Sequence, residues 1–283
     1  MPTPVKSKPT AHQPEAKTSN TGISVWTLIL LFTNILLLAI IVTLFWRQAN
    51  SNPESIQTYS QPETQLNPTP NSSNLGKRHQ LSYQKWLEIL QQEADVIAAK
   101  NPPNLAIIAG DSLSLWFPND LLPHTNTWLN QGISGETSAG LFKRLHFFAK
   151  TQPQTIWVMI GINDLIRGKS DREIIQNYQK IITNLRRTHP QTEIIVQSIL
   201  PHAGKAATWE GRDKLLKIPN TRIQQLNTQI QAFATKNNAI FLNLYPLFSD
   251  SQGNLLPELS TDGLHLNRQG YLVWRSAMLF RRP

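Results

Sequence analysis

Cysteine is absent from all 283 residues, which removes disulfides, metal–thiolate sites and cysteine nucleophiles together. The absence leaves the compartment open, because an oxidising space permits disulfides without demanding them. Acids are scarce as well, 18 against 27 lysines and arginines, for a formal net charge of +9. Within residues 81–283, however, 21 scattered basic residues face 15 acidic ones. No RNA- or DNA-binding signature accompanies them, so nucleic acid is not an expected partner. A mildly basic surface facing anionic lipid or cell-wall polymer accounts for the balance more plainly. No spacing of histidines and carboxylates matches a zinc site, and no metal or cofactor is expected.

Charge is missing altogether from one long stretch, ISVWTLILLFTNILLLAIIVTLFW, from Ile23 to Trp46. At about 1.5 Å rise per residue it is long enough to cross a hydrocarbon core of about 30 Å. The apolar region of a secretory signal is shorter, about 7–15 residues, and ends at a small-residue cleavage site. This one leaves through Phe45-Trp46-Arg47, an interfacial anchor. The expectation is an uncleaved transmembrane signal anchor over residues 23–46. Lys6, Lys8 and Lys17 precede it and Arg47 is the only nearby cation after it, so residues 1–22 are expected in the cytoplasm and the rest outside. The leader and residues 47–80 are rich in Pro, Ser, Asn, Gln and Thr and carry too little apolar periodicity to offset the entropy of ordering. The second reads as a flexible tether to a domain over residues 81–283, large enough to bury one core.

In that domain Leu81, Trp86, Leu87, Leu90, Ala94 and Ile97 recur at helical spacing ahead of Asn101-Pro102-Pro103. Short apolar runs then alternate with helical patterns. LAIIAG, TIWVMIG, TEIIVQSIL and AIFLNLY read as strands, and a weaker strand lies near Trp128 and Leu129. Between them TSAGLFKRLHFFAK, DREIIQNYQKIITNLRRT and TRIQQLNTQIQAFATKN carry helical periods. Alternation of this kind predicts βαβ units and a parallel sheet covered on both faces, with ligands at the carboxyl ends of the strands.

Four polar clusters fall just after predicted strands or near the chain end: GDSLS at 110–114, NQGISGET at 130–137, GIND at 161–164 and DGLH at 262–265. Taken singly, each has an ordinary reading as a turn or a backbone cap, or, for His265, as a solvated side chain. Together they supply what acyl transfer by serine needs. Ser112 offers the hydroxyl and His265 the base. Asp262, three residues earlier, orients that base. Oxyanion donors come from the Ser112 N–H, the N–H of a glycine in GISG and the Asn163 amide; a glycine lets substrate approach the backbone closely.

The combination resembles the SGNH, or GDSL-type, hydrolases, named for the Ser, Gly, Asn and His of four blocks that occur here in order over about residues 104–281. The resemblance implies Ser112 as nucleophile, Asp262 and His265 as the other triad members, and Ser112, Gly135 and Asn163 as the oxyanion hole. Gly132 is then a turn residue. NQGISGETSAGLFKRL and GLHLNRQGY are similar to the platelet-activating-factor-acetylhydrolase-like branch. The implied fold is an α/β three-layer αβα sandwich, flavodoxin-like, with a five-stranded parallel sheet. The implied activity is a cofactor-free serine esterase acting on acyl-ester substrates, and the expected location suggests envelope glycans or lipids. The same residues also suit an O-acyltransferase, and an inactive glycan- or partner-binding module is the rival of another class. Trp116 and Phe117 are either a wall of the site or core. Residues 201–220 are a candidate substrate loop on the same rim, with His202 read as a solvated loop residue and His146 as a packing or surface residue.

Overall fold

A computed structural model describes residues 81–280 and, before them, the isolated helical positions Thr33, Ala39 and Thr43. The expected leader, membrane span and tether otherwise lie outside the described residues. Among the described residues no helix is long and apolar enough to cross a membrane.

Five strands, β1 (Leu105–Gly110), β2 (Thr127–Gly132), β3 (Thr155–Met159), β4 (Glu193–Gln197) and β5 (Ile240–Leu242), form one sheet in the order β2-β1-β3-β4-β5. Every neighbouring pair is parallel. All six residues of β1 are buried, as are the last four of β3 and of β4. Because alternate residues of a strand point to opposite faces, burial of consecutive residues means that helices cover both sides. The expected three layers follow from that pattern.

The helices are α1 (Tyr83–Lys100), α2 (Ser112–Leu115), α3 (Ser138–Arg144), α4 (Ile162–Ile166), α5 (Asp171–Thr188), α6 (Arg212–Leu215), α7 (Asn220–Lys236), α8 (Tyr245–Phe248) and α9 (Arg268–Phe280). Their ends are chemically marked. Ser82 caps α1 through Lys85 N–H, and Ser170 with Glu173 forms a capping box on α5. α3, α5 and α7 pack side by side. α9 reaches the sheet through Trp274, whose indole N–H donates to Gln197 of β4.

The strand expected near Trp128 and Leu129 is present and runs from Thr127 through Gly132, so Asn130 and Gln131 belong to the sheet. Its polar residues hid it: Asn130 is half-buried because it bonds a neighbouring turn, and Gln131 is buried with its amide on Leu90 O. Gly132 is accordingly a strand residue rather than a turn residue. A Cβ there would stand 2.4 Å from Leu115 N.

Candidate active site

β1 runs straight into the first cluster. Gly110 closes the strand where a Cβ would stand 2.1 Å from Met159 O of β3, so only glycine fits. Asp111 then caps α2, its Oδ1 accepting from Leu113 N–H at 3.1 Å. Ser112 is therefore the first residue of a four-residue helix at the carboxyl edge of the sheet. Neighbours fix this short turn from two sides. Asn130 of β2 donates Nδ2 to Ser114 O at 2.8 Å while its Oδ1 accepts from Gly132 N–H. Tyr271 of α9 donates its hydroxyl to Leu113 O at 3.0 Å.

The fourth cluster forms a turn just before α9. Asp262 Oδ1 accepts the backbone N–H groups of Leu264 and His265 at 2.9 and 2.8 Å, which leaves Oδ2 to meet His265 Nδ1 at 2.7 Å. An ionised carboxylate only accepts, so Nδ1 carries the proton and Nε2 faces out as the acceptor. Burial works against ionisation of Asp262, but hydrogen bonds from the His265 ring and backbone outweigh it and hold the carboxyl below its ordinary range.

The first and fourth clusters meet through Trp116. Its backbone N–H bonds Ser112 O at 2.9 Å, and its ring packs on the His265 imidazole with centroids 4.4 Å apart. Trp116 is thus a wall of the site. Phe117 is core, packed against Tyr271 and Trp274. Ser112 Oγ and His265 are brought to one edge without a hydrogen bond between them; such contacts often tighten only with substrate bound.

Gly135 follows β2 with φ +74°, a conformation that favours glycine. The loop that carries it rests on a buried ion pair, Glu136 Oε2 to Arg144 Nε at 2.9 Å. Arg144 also donates to Gln131 O at 2.7 Å and Gly110 O at 3.1 Å, tying the ends of β2 and β1 together. Asn163 is the second residue of α4, after Gly161 at φ +126°. The next residue, Asp164, is buried and binds Ser138 through both its N–H (2.8 Å) and Oγ (2.6 Å). That link joins the asparagine's helix to α3, directly behind the Gly135 loop. Asn163 Nδ2 is itself buried and has no protein partner. Buried donors are nearly always paired, so this amide keeps an unspent donor.

The rim segment 201–220 does more structural work than expected of a substrate loop. Thr208 and Trp209 donate their N–H groups to Asp262 O at 2.8 and 2.9 Å, and Ala203 N–H donates to Gly263 O at 2.8 Å. His202 is not solvated, as expected from its loop position, but buried. Its Nε2 meets Ile218 O at 2.7 Å and its Nδ1 accepts Gly204 N–H at 3.0 Å, so it pegs the two ends of the segment together. Desolvation lowers its pKa. His146 is exposed and bonds Lys143 O.

The structure thus gathers Ser112, Gly135, Asn163, Asp262 and His265 at one edge of the sheet. Sequence reasoning passed over Asn130, Arg144, Asp164 and Tyr271, which position them. Asn130 and Asp164 lie inside two of the four clusters, and Arg144 and Tyr271 inside the longer runs NQGISGETSAGLFKRL and GLHLNRQGY, with nothing in their residue type to mark a positioning role.

Residues 108–273 match the family model of the GDSL-like lipase/acylhydrolase family. Over 165 residues the chain is 26% identical to an N-acylneuraminate cytidylyltransferase of Streptococcus agalactiae, covering 58% of this chain and 35% of that one; it spans only about a third of that relative's length. It is 26% identical over 145 residues to the platelet-activating factor acetylhydrolase IB subunit alpha1 of Bos taurus, covering 50% of this chain and 58% of that one. Among solved structures it is similar to a platelet activating factor protein from Streptococcus pneumoniae, with TM-score 0.62 and 27% identity over 69% of this chain and 92% of the other. A GDSL-like lipase of Bacteroides thetaiotaomicron shares the fold, with TM-score 0.55 and 20% identity over 69% and 96%. The matched span begins inside β1 and ends inside α9, enclosing all four clusters, and on that ground the chain belongs to the GDSL-like lipase/acylhydrolase family.

Proposed function

We propose that the protein is a serine esterase in which Ser112, His265 and Asp262 act as a triad. The observation that carries this reading is the 2.7 Å pair of Asp262 Oδ2 and His265 Nδ1, which leaves Nε2 as a base at the edge where Ser112 stands. Ser112 Oγ attacks the ester carbonyl carbon as Nε2 takes its proton. The charge developing on the carbonyl oxygen is met by the N–H groups of Ser112 and Gly135 and by Asn163 Nδ2, the buried donor that lacks a protein partner. Collapse of the tetrahedral intermediate returns the proton from Nε2 to the departing alcohol and leaves an acyl-Ser112 ester. Water then attacks that ester, with Nε2 as base again, and the proton passes from Nε2 to Ser112 Oγ as the acid leaves. Asp262 remains ionised throughout and stabilises the imidazolium.

Hydrolysis is favoured over acyl transfer to a sugar hydroxyl by membership of an acylhydrolase family. The uncharged stretch 23–46 and the cations ahead of it support a single-pass anchor with the catalytic domain on the far side of the membrane. From that location we infer that the substrates are acyl esters, short-chain ones foremost, on envelope glycans or lipids.

The test is hydrolysis of p-nitrophenyl acetate, butyrate and octanoate by the full chain in detergent, beside Ser112→Ala. Turnover that vanishes in the variant and falls with chain length is expected. Turnover that survives in Ser112→Ala would contradict the assignment. Acyl release that appears only when a polysaccharide acceptor is added would turn the reading to transfer.

A further inference from the structure

Arg167 closes α4 four residues after Asn163 and bonds that residue's carbonyl at 3.0 Å through its own backbone N–H. Its side chain turns back over the oxyanion loop. Nη2 donates to Gly135 O at 2.7 Å and lies 3.6 Å from the position a Cβ on Gly135 would take. The guanidinium thus stands directly over the glycine whose N–H is assigned to the oxyanion.

Only one of its donors is used this way. An arginine has five N–H donors and no acceptor. Among the described residues no carboxylate forms an ion pair with Arg167, and Asp164, three residues before it, spends both oxygens on Ser138. Arg167 is exposed, so its remaining donors are open to solvent beside the Gly135 loop. The rim segment that braces the Asp262 turn carries charge of the same sign, since residues 203–220 have Lys205, Arg212, Lys214 and Lys217 against Glu210 and Asp213. Such a rim draws anions toward the cleft.

We propose that Arg167 determines specificity by binding a negatively charged group, a carboxylate or a phosphate, carried by the ester substrate close to its scissile carbonyl. The inference rests on the esterase reading above and names the substrate class of that same site. Planar guanidinium geometry matches both groups through paired N–H···O bonds, which an ammonium cannot reproduce. The bond to Gly135 O holds the guanidinium in place before substrate arrives, which lowers the cost of ordering it.

The test compares an O-acetylated uronic acid glycoside and an O-acetylated sugar phosphate with an O-acetylated neutral glycoside, using the full chain, Arg167→Gln and Arg167→Lys. The readout is the ratio of kcat/KM for each anionic ester to that of the neutral one. A ratio cancels any loss of loop position that the substitution causes for every substrate alike. Wild type is expected to favour at least one anionic ester by about tenfold or more, as one charge-assisted pair supplies. Arg167→Gln brings the ratio to about one, and Arg167→Lys falls between because it keeps the charge without the fork. Which of the two anionic esters carries the preference identifies the group. A wild-type ratio near one, or a ratio unchanged in Arg167→Gln, overturns the proposal. Calorimetric binding of the same esters to Ser112→Ala with and without Arg167→Gln reads the preference independently of turnover. Equal binding overturns the proposal there too, whereas a protein that binds anionic esters selectively and hydrolyses none would break the esterase reading alone.

Discussion

The nucleophile and its oxyanion donors are held differently from the acid and base that serve them. Ser112, Gly135 and Asn163 leave the ends of the adjacent strands β1, β2 and β3. Behind them buried and half-buried polar groups lock one strand end to the next: Asn130 to the serine turn, Arg144 to the carbonyls of Gly110 and Gln131, Asp164 to Ser138. Asp262 and His265 have no strand. Their turn is closed by the carboxylate on its own backbone and braced by the rim segment and the Trp116 ring. One half of the site is part of the core, and the other is a loop laid across it. Substitutions in the first half should therefore cost stability together with activity, and substitutions in the second chiefly activity.

The largest separation is expected from His265→Ala. Activity should fall by about 10³-fold or more, while the denaturation midpoint moves little, because the ring is a partly exposed side chain on a surface turn. A large loss of stability would show that the loop is as integral as the sheet. Arg144→Met should do the reverse. It leaves Glu136 buried without its counter-ion and frees two backbone carbonyls, for a cost of about 3–5 kcal/mol in urea denaturation. Asn163→Ala removes a single oxyanion donor and should lower kcat by about 10²–10³-fold with little change in KM. Steady-state kinetics on p-nitrophenyl acetate separates the two parameters.

The last contrast is in pH dependence, where the halves differ in sign. Asp111 is fully buried on the sheet side, lining a cavity of about 10 Å³ with Leu113, Met159 and Ile199. Desolvation pushes its pKa from 3.8 up to about 7 despite the Leu113 N–H bond. A raised pKa in the fold means that stability is lost as pH climbs through that interval. Asp262 is shifted downward, so its contribution is present above the ordinary carboxylate range and lost in acid. Asp111→Asn keeps the Oδ1 acceptor for Leu113 N–H and should gain on wild type as pH rises from roughly 4 to 8. Asp262→Asn should trail wild type at neutral pH and close the gap in acid. Urea midpoints across pH check both, and parallel curves for the two variants would remove the distinction.

The same contrast explains what could be read from the sequence. The strands declared themselves as short apolar runs because a doubly covered parallel sheet buries every residue. The four clusters were visible because their chemistry is local: Asp262 and His265 are three apart, and the Gly-Asp-Ser turn is contiguous. What stayed hidden is long-range. Arg144 follows Lys143 in the helical run TSAGLFKRLHFFAK, yet its guanidinium is buried and bonded to Glu136 and to carbonyls of two strands. β2 was seen only in part because Asn130 and Gln131 are polar, and their partners on α2 and α1 lie far away in sequence. His202 reads as solvated for the same reason, since its partner Ile218 is sixteen residues on.

The central claim is that Ser112 is a nucleophile activated by the His265–Asp262 pair. Its most direct measurement is covalent labelling of the full chain with a fluorophosphonate, followed by peptide mass spectrometry. The account predicts one adduct, on Ser112, formed far more slowly in His265→Ala. A folded protein that stays unlabelled, or one labelled at another residue, would contradict it.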